Sequence, residues 1–258
     1  MEIHVIPPEQ QGFGEFDGGN IIEQKPIGFA GEGSLVKRIG PLFYWAWAHS
    51  EKEGFIGKHP HKAFEIMTYV VQGSAEHGDS LTKVKKIVNA GGAQMMQTGS
   101  GVSHEERFIG PDMEGFQIWF EPFINEAILR APTYNQYDHA DFPAVIQDGL
   151  FKKTVIGEDS PIQVVADVKM WDIELEPGGQ YEHSLPSGRT LAALAIRGNG
   201  RWDAKKDNIT VNFQHKDFSV LSTETVGEAI LKADINTKLR MILIEVPTKT
   251  EYPLYPKQ

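Results

Sequence analysis

The chain has 258 residues, a formal net charge of −10 and 40% hydrophobic residues, and it contains no cysteine. That is enough apolar material for one large or two modest cores, while the acidic surplus argues against a broad basic surface that grips nucleic acid directly. Without cysteine there is no disulfide framework, no thiolate ligand and no thiol nucleophile.

Glycines and prolines, 26 and 15 of them, punctuate short runs of β-branched and aromatic residues, which predicts an all-β chain. The amino-terminal stretch MEIHVIPPEQQ has neither the charged nor the apolar region of a signal peptide. Strands are then expected at Ser34–Arg38, Phe43–Ala48, Phe64–Gln72, Lys85–Asn89, Ala93–Gln97, His104–Phe108 and Gly115–Phe120. Turns are expected between them at Gly57-Lys58, Gly73-Ser74, Gly91-Gly92 and Gly99–Gly101. Strands at such intervals suit a sandwich or jelly-roll barrel.

A connection follows, helical over Asn125–Arg130 and polar over Thr133–Asp141. The second set of strands is expected at Phe151–Val155, Val164–Val168, Met170–Leu175, Leu191–Arg197, Gly200–Trp202, Ile209–Phe213, Phe218–Leu221, Glu228–Lys232 and Leu239–Glu245. The division expected is an N-terminal domain over 1–132 and a C-terminal domain over 133–258, closing in a proline-containing extended arm from Pro247. The longest apolar runs, Leu42–Ala48 and Leu191–Ile196, fall far short of the ~20 residues of a membrane helix. A cytoplasmic protein without membrane contact is the expectation.

Chemistry concentrates in two short pairs, His59-Pro60-His61 and His104-Glu105-Glu106. Positions i and i+2 of a strand lie on one face, so His59 with His61, and His104 with Glu106, each present two donors together. Burying three imidazoles and a carboxylate without a partner costs several kcal/mol, and a divalent ion removes that cost. The expected metal ligands are therefore His59, His61, His104 and Glu106. Glu65 shares the strand parity of His59 and His61 and is the next carboxylate candidate, whereas Glu105 should point away. Three imidazoles and one carboxylate accept iron, manganese, cobalt, nickel, copper or zinc.

Bland readings cover most other candidates. His183 follows Pro177-Gly178-Gly179, but Leu185 stands where a second histidine would be needed, so a second barrel without metal is expected. His77 and Asp79 either support a ligand ring or stabilise a turn. Gly12-Phe13-Gly14 and Gly99-Ser100-Gly101 lack the rest of any phosphate-binding fingerprint, and Ser103 has no nucleophile elbow. Trp45, Trp47, Met67, Tyr69, Met95, Met96 and Trp119 read as core rather than cavity lining.

One combined pattern is more specific. Gly57-x-His59-Pro60-His61-x-x-Phe64-Glu65-x-x-Thr68-Tyr69-x-x-x-Gly73, then His77-x-Asp79-Ser80, then Gln94-x-Met96-x-x-Gly99-x-Gly101-x-x-His104-x-Glu106, then Gln117-x-Trp119, resembles the pirin family of the cupin superfamily. The resemblance covers the N-terminal half. It implies two cupin β-barrels in tandem with one metal, usually iron(II), in the first, held by His59, His61, His104 and Glu106. It also implies a dioxygenase of the quercetin 2,3-dioxygenase kind, acting with dioxygen on a flavonol-like enol or phenol, with Glu106 as the catalytic base. The alternative it implies is a non-catalytic, metal-dependent or redox-sensing regulator that binds a protein partner such as a transcription factor. The chain departs from the family pattern after Asp79-Ser80, at Met95 where the pattern has tryptophan, and at Glu105 where it has a small residue.

Overall fold

The computed structural model describes residues 1–257. Among them the strands form three sheets, all paired antiparallel, as expected of an all-β chain in which glycine turns separate short apolar runs. Two compact units result. One comprises residues Gln11–Asp141, Val164–Ala166 and the residues from Glu251 onward; the other comprises Met1–Gln10, Phe142–Gln163 and Asp167–Thr250. Each unit therefore takes in one end of the chain.

The first unit is built on a nine-stranded sheet ordered Thr133–Tyr137, Ala93–Gln97, Glu65–Asp79, Val102–Phe120, Leu42–Ser50, Ile21–Ile27 and Gly12–Phe16. Strand Gly54–His61 pairs Val102–Phe120, and Lys86–Asn89 pairs Glu65–Asp79, off that path. The two long strands carry the unit, because each runs through two stretches of ladder with register shifts between them. The buried apolar set includes Ile21, Ala48, Val70, Ala75, Val88, Phe108 and Met113. An aromatic group of Phe43 and Tyr44, with Phe29, Phe64 and Trp119 packed against it, forms a second cluster.

The second unit pairs a seven-stranded sheet with a four-stranded one. The larger runs Glu2–Ile6, Phe218–Ser222, Arg189–Arg197, Leu239–Pro247, Lys169–Leu175, Leu150–Ile156, Ala144–Gln147; the smaller runs Gln180–Leu185, Gly227–Ala233, Gly200–Ala204, Ile209–Phe213. Alternation along Gln180–Leu185, where Tyr181, His183 and Leu185 are buried and their neighbours exposed, shows one face turned to the core. Trp202, Phe213, Leu231, Met241 and Leu243 lie in that core.

Several expected elements differ, each for a physical reason. The Ser34–Arg38 strand is absent, since the Ser34 hydroxyl accepts the amides of Gly12 and Gly28 and donates to the Lys25 carbonyl, clamping a loop. The Val164–Val168 strand is also absent: the amides of Val165 and Ala166 donate to the Glu65 carboxylate instead of to a ladder. Gly57-Lys58 is not a turn but lies within strand Gly54–His61, at a register shift between Ile56 and His59. Gly73, with a φ of 71°, likewise carries strand Glu65–Asp79 through an irregularity rather than ending it. His104–Phe108 and Gly115–Phe120 are parts of one strand, and the polar connection contains strand Thr133–Tyr137 on the free edge of Ala93–Gln97. The helix is shorter than expected, Ile124–Ala127.

Glu65 is 2% exposed, and its three bonds from Val165, Ala166 and Gln97 are 2.7–2.9 Å long. Replacing it with alanine strands two backbone amides, so Glu65→Ala should lower stability by about 2–4 kcal/mol in chemical denaturation. Glu65→Gln, which keeps one acceptor oxygen, should cost less than Glu65→Ala. Equal losses for the two variants would show that the amides find other partners.

Candidate metal centre

The ladder places the two histidine-bearing pairs against one another. Strand Val102–Phe120 runs between Gly54–His61 on one side and Glu65–Asp79 on the other. In register, His104 faces His59 across one seam and Asp79 across the other, so these three occupy one row. The next row is Ile56, Glu106 and His77. Ile56 and His59 are an odd number of residues apart, and the irregularity at Gly57-Lys58 lets both join rows that are two residues apart on the central strand.

Three imidazole nitrogens converge. His104 Nε2 lies 2.8 Å from His61 Nε2 and 3.0 Å from His59 Nε2. Two nitrogens ~2.1 Å from one shared ion, at a right angle to each other, stand about 3 Å apart, so the spacing suits adjacent ligands of one ion. The protonation pattern suits it too. His59 Nδ1 is 2.8 Å from the Gly57 carbonyl, which can only accept, so the proton of the neutral ring is on Nδ1 and a lone pair on Nε2. These three histidines form one group able to hold a cation. His104 is fully buried, while His59 and His61 are half-buried and give the group an approach from solvent.

Glu106 sits one step away. It groups with His104 and His77 rather than with His59 and His61. Its Oε2 accepts Gln117 Nε2 at 2.6 Å, and its Oε1 accepts the Thr68 hydroxyl at 2.9 Å. The Gln117 carbonyl accepts the Trp119 indole N–H at 3.1 Å, and Thr68 receives Gln94 Nε2 at 2.9 Å. This polar network was not legible in the strand pattern as a set of roles. Its signal was there, however, in single polar residues inside apolar strands: Thr68 in FEIMTYVV, Gln94 in AQMM and Gln117 in FQIW. A lone polar side chain in a buried strand needs a partner.

The remaining candidates fall out clearly. Glu65, which parity placed toward the site, turns instead to the Val165 and Ala166 amides; its strand is separate from that of His59 and His61, so parity does not carry across. Burial raises the Glu65 carboxyl, against the two amides that favour its charge. Glu105 points away, as expected, and pairs with Lys85 at 3.4 Å. Trp45, Met67, Tyr69, Met95 and Met96 are core, and Trp47 is buried as well. Trp119 differs: its ring meets that of His61 edge-on at 4.8 Å, and Phe43, Tyr44, Phe29 and Phe64 pack around it. In the other unit, His183 bonds Glu245 at 2.9 Å and Leu185 is in the core; neither cation-holding group among the described residues lies there.

A family model described as Pirin matches residues 42–120. Pirin-like protein 2 of Arabidopsis thaliana is 29% identical over 191 residues, 72% of this chain and 59% of that protein. A putative quercetin 2,3-dioxygenase of Pseudomonas aeruginosa is 32% identical over 155 residues, 55% of this chain and 54% of that one. The matches thus span little more than half the length of these curated relatives. Among solved structures, the Escherichia coli bacterial pirin YhhW in complex with nickel(II) superposes with a TM-score of 0.77 at 23% identity, over 95% of this chain and 99% of that one. The chain belongs to the pirin family. Its fold is the tandem cupin all-β fold of the pirin and cupin structures. A quercetin 2,3-dioxygenase of Acinetobacter baumannii shares that fold at a TM-score of 0.76 and 21% identity, over 98% and 89% of the two chains. No helix of this pirin is long and apolar enough to cross a membrane among the described residues.

Burial keeps His61 and His104 neutral. Burial, with the nearby rings of His59 and His77 adding to it, pushes His104 down to about 2. Burial and the neighbouring His104 and His59 push His61 down to about 3, against the pull of Glu106. Both values lie below the 6.5 of a free imidazole. As pH falls below that value, the unfolded chain binds protons that the folded, metal-free protein does not. Stability is therefore present above pH 6.5 and declines as the pH drops toward the folded values. For the fully buried His104 the slope should be roughly 1 kcal/mol per pH unit. Thermal unfolding of chelator-treated protein between pH 7 and pH 4 should show it, and His104→Gln should flatten the curve. Parallel curves for the two proteins would refute this origin.

Proposed function

We propose that the first unit binds one divalent transition metal through His59, His61, His104 and Glu106, and that the protein is a metal-dependent dioxygenase of the quercetin 2,3-dioxygenase kind. What carries the reading is the convergence of three imidazole nitrogens, with His61 Nε2 and His59 Nε2 at 2.8 and 3.0 Å from His104 Nε2. Supporting it are the carboxylate of Glu106 beside His104 and relatives named as quercetin 2,3-dioxygenases. Iron(II) is the ion we favour, with manganese, cobalt, nickel, copper and zinc admitted by the same donors.

A redox-active divalent ion held there would supply Lewis acidity and one-electron chemistry toward an electron-rich enolate or phenolate and dioxygen. The protein's own residues have definable tasks. Glu106 accepts the proton of the substrate hydroxyl at a carboxylate oxygen, as general base. Gln117 and Thr68 each bond one of its oxygens and so fix the plane in which it can accept. Fixing Glu106 this way costs no reorganisation during the reaction. Trp119 and the aromatic side chains behind it offer a flat apolar wall beside His61, suited to a planar aromatic substrate.

Two measurements test the reading. Protein purified without chelator and reloaded anaerobically should hold one equivalent of metal by elemental analysis. His61→Ala and His104→Ala should hold a tenth or less under the same conditions. Iron-loaded protein given a flavonol under air should consume oxygen as the flavonol absorbance falls. With iron in excess, Glu106→Gln should slow that reaction ~100-fold or more. A metal-loaded protein that consumes no oxygen with any flavonol would sink the dioxygenase reading and leave a non-catalytic metal-dependent regulator in its place.

A further inference from the structure

Behind His104, away from His59 and His61, lies a buried hydrogen-bonded chain that the proposed reaction does not use. Asp79 Oδ2 is 3.2 Å from His77 Nε2. His77 Nδ1 receives Gln94 Nε2 at 3.0 Å and stands 3.4 Å from His104 Nδ1. His77 is 1% exposed, Gln94 2% and His104 0%. The Tyr134 ring stacks on His77 at 4.7 Å and holds its plane.

Each proton in this chain is fixed by a partner of single character. An ionised carboxylate only accepts, so His77 carries its proton on Nε2 and a lone pair on Nδ1. The Thr68 hydroxyl donates to Glu106 Oε1, so the Gln94 atom facing Thr68 must be the donating amide nitrogen. That nitrogen's other proton then goes to His77 Nδ1, in agreement with the first assignment. If His104 presented a lone pair on its own Nδ1, two lone pairs would face each other at 3.4 Å in a buried site. That contact is satisfied only when His104 carries its proton on Nδ1. Its Nε2 lone pair then points to His59 and His61; without an ion, it can accept the proton of His61 Nε2, 2.8 Å away.

We propose that Asp79 and His77 are positioning residues: a carboxylate–imidazole relay that holds His104 in the Nδ1–H tautomer and so presents its Nε2 lone pair at the metal centre. The consequence for metal affinity rests on the reading of His59, His61 and His104 as ligands; the tautomer itself does not. Asp79 has a second task on its other side. Its Oδ1 accepts the amides of Leu81 and Thr82, at 2.7 and 2.5 Å, and Oδ2 also takes the Thr82 hydroxyl at 3.0 Å. The carboxylate thus ties the 79–82 turn to the histidine chain, and this is why Asp79 must be separated from a purely structural role.

The substitution Asp79→Asn inverts the chain. With the asparagine oxygen retained by the turn amides, its NH2 faces His77 Nε2 and donates. His77 must then carry its proton on Nδ1, where it collides with the donors of Gln94 and His104. His104 is driven to the Nε2–H tautomer, with a proton where a ligand lone pair is required. Thr82→Val removes the turn's hydroxyl bond and leaves His77 untouched.

The experiment reads the tautomers directly, by 15N–1H correlation of ring nitrogens in 15N-histidine-labelled, metal-free full-length protein at neutral pH. Wild type and Thr82→Val should show His104 protonated on Nδ1 and His77 on Nε2, and Asp79→Asn should show His104 protonated on Nε2. Competition with a chromophoric chelator for zinc should then give binding ~10–100-fold weaker in Asp79→Asn, and unchanged in Thr82→Val. Wild-type His104 protonated on Nε2 would overturn the relay, and this outcome does not depend on whether any variant folds. An Asp79→Asn protein with unchanged His104 tautomer and zinc affinity would overturn it as well. Wild-type tautomers as expected, with no zinc bound by any protein, would support the relay and remove the metal reading instead.

Discussion

Everything distinctive about this chain depends on one strand having two neighbours in fixed register. Val102–Phe120 pairs Gly54–His61 along one edge and Glu65–Asp79 along the other. A slip of one residue on either seam would turn a full row of side chains to the opposite face. His104 would then lose His59 on one side or the His77–Asp79 pair on the other. Register is pinned by burial: Phe108, Met113, Phe116, Ile118 and Phe120 along the same strand are all at most 5% exposed. The apolar half of the strand thus holds the polar half in place. Stability and site geometry are two consequences of one alignment.

That alignment collects an unusual number of polar groups in a dry environment. Thr68, His77, Gln94, His104 and Glu106 are each at most 4% exposed. Such a set is tolerable only when every donor meets an acceptor. Gln94 does most of the linking, since its amide reaches both Thr68 on the Glu106 side and His77 on the histidine side. A leucine at 94 would leave the Thr68 oxygen and the His77 Nδ1 lone pair without that donor. Completed, the network turns the His104 lone pair toward His59 and His61. On the proposed reading, this builds a cation site by satisfying every neighbour except the one atom that would bind.

How much of this is legible in the amino-acid sequence depends on distance along the chain. His59 with His61, and His104 with Glu106, are visible because strand parity is a local rule. The strands at Ala93–Gln97 and Ile209–Phe213 are visible for the same reason, their residue types and flanking turns agreeing. What failed was non-local. Val164–Val168 reads as a strand until the Glu65 carboxylate, about a hundred residues away, takes two of its amides. Glycine misled twice: Gly57 and Gly73 sit inside strands, where a missing side chain permits a bulge as readily as a turn. Cutting the strand at Gly73 also hid the pairing of His77 with Glu106 and of Asp79 with His104. The sequence did hint at both roles of Asp79, ring support and turn stabilisation: Oδ1 takes the two turn amides, and Oδ2 meets both His77 and the Thr82 hydroxyl.

The two units show how little separates a candidate metal ligand from a structural histidine. His183 in the second unit is buried, at 4% exposure, much as His104 is, and it too lies on a strand beside a carboxylate. Its Nε2 proton goes to Glu245, and its Nδ1 faces the Tyr181 hydroxyl at 3.3 Å. Both ring nitrogens are therefore committed within the protein. Glu245 is committed as well: burial raises its carboxyl, but His183 and Arg189 together hold it below the ordinary carboxylate range. Arg189 supplies there the positive charge that an ion would otherwise bring. In the first unit no arginine is bonded to the Glu106 carboxylate, whose partners are the neutral Gln117 and Thr68. A buried carboxylate beside neutral imidazoles, with neutral donors only, is an environment completed by a cation. The two units thus differ in the charge of the carboxylate's partner, Arg189 at Glu245 against neutral Gln117 and Thr68 at Glu106.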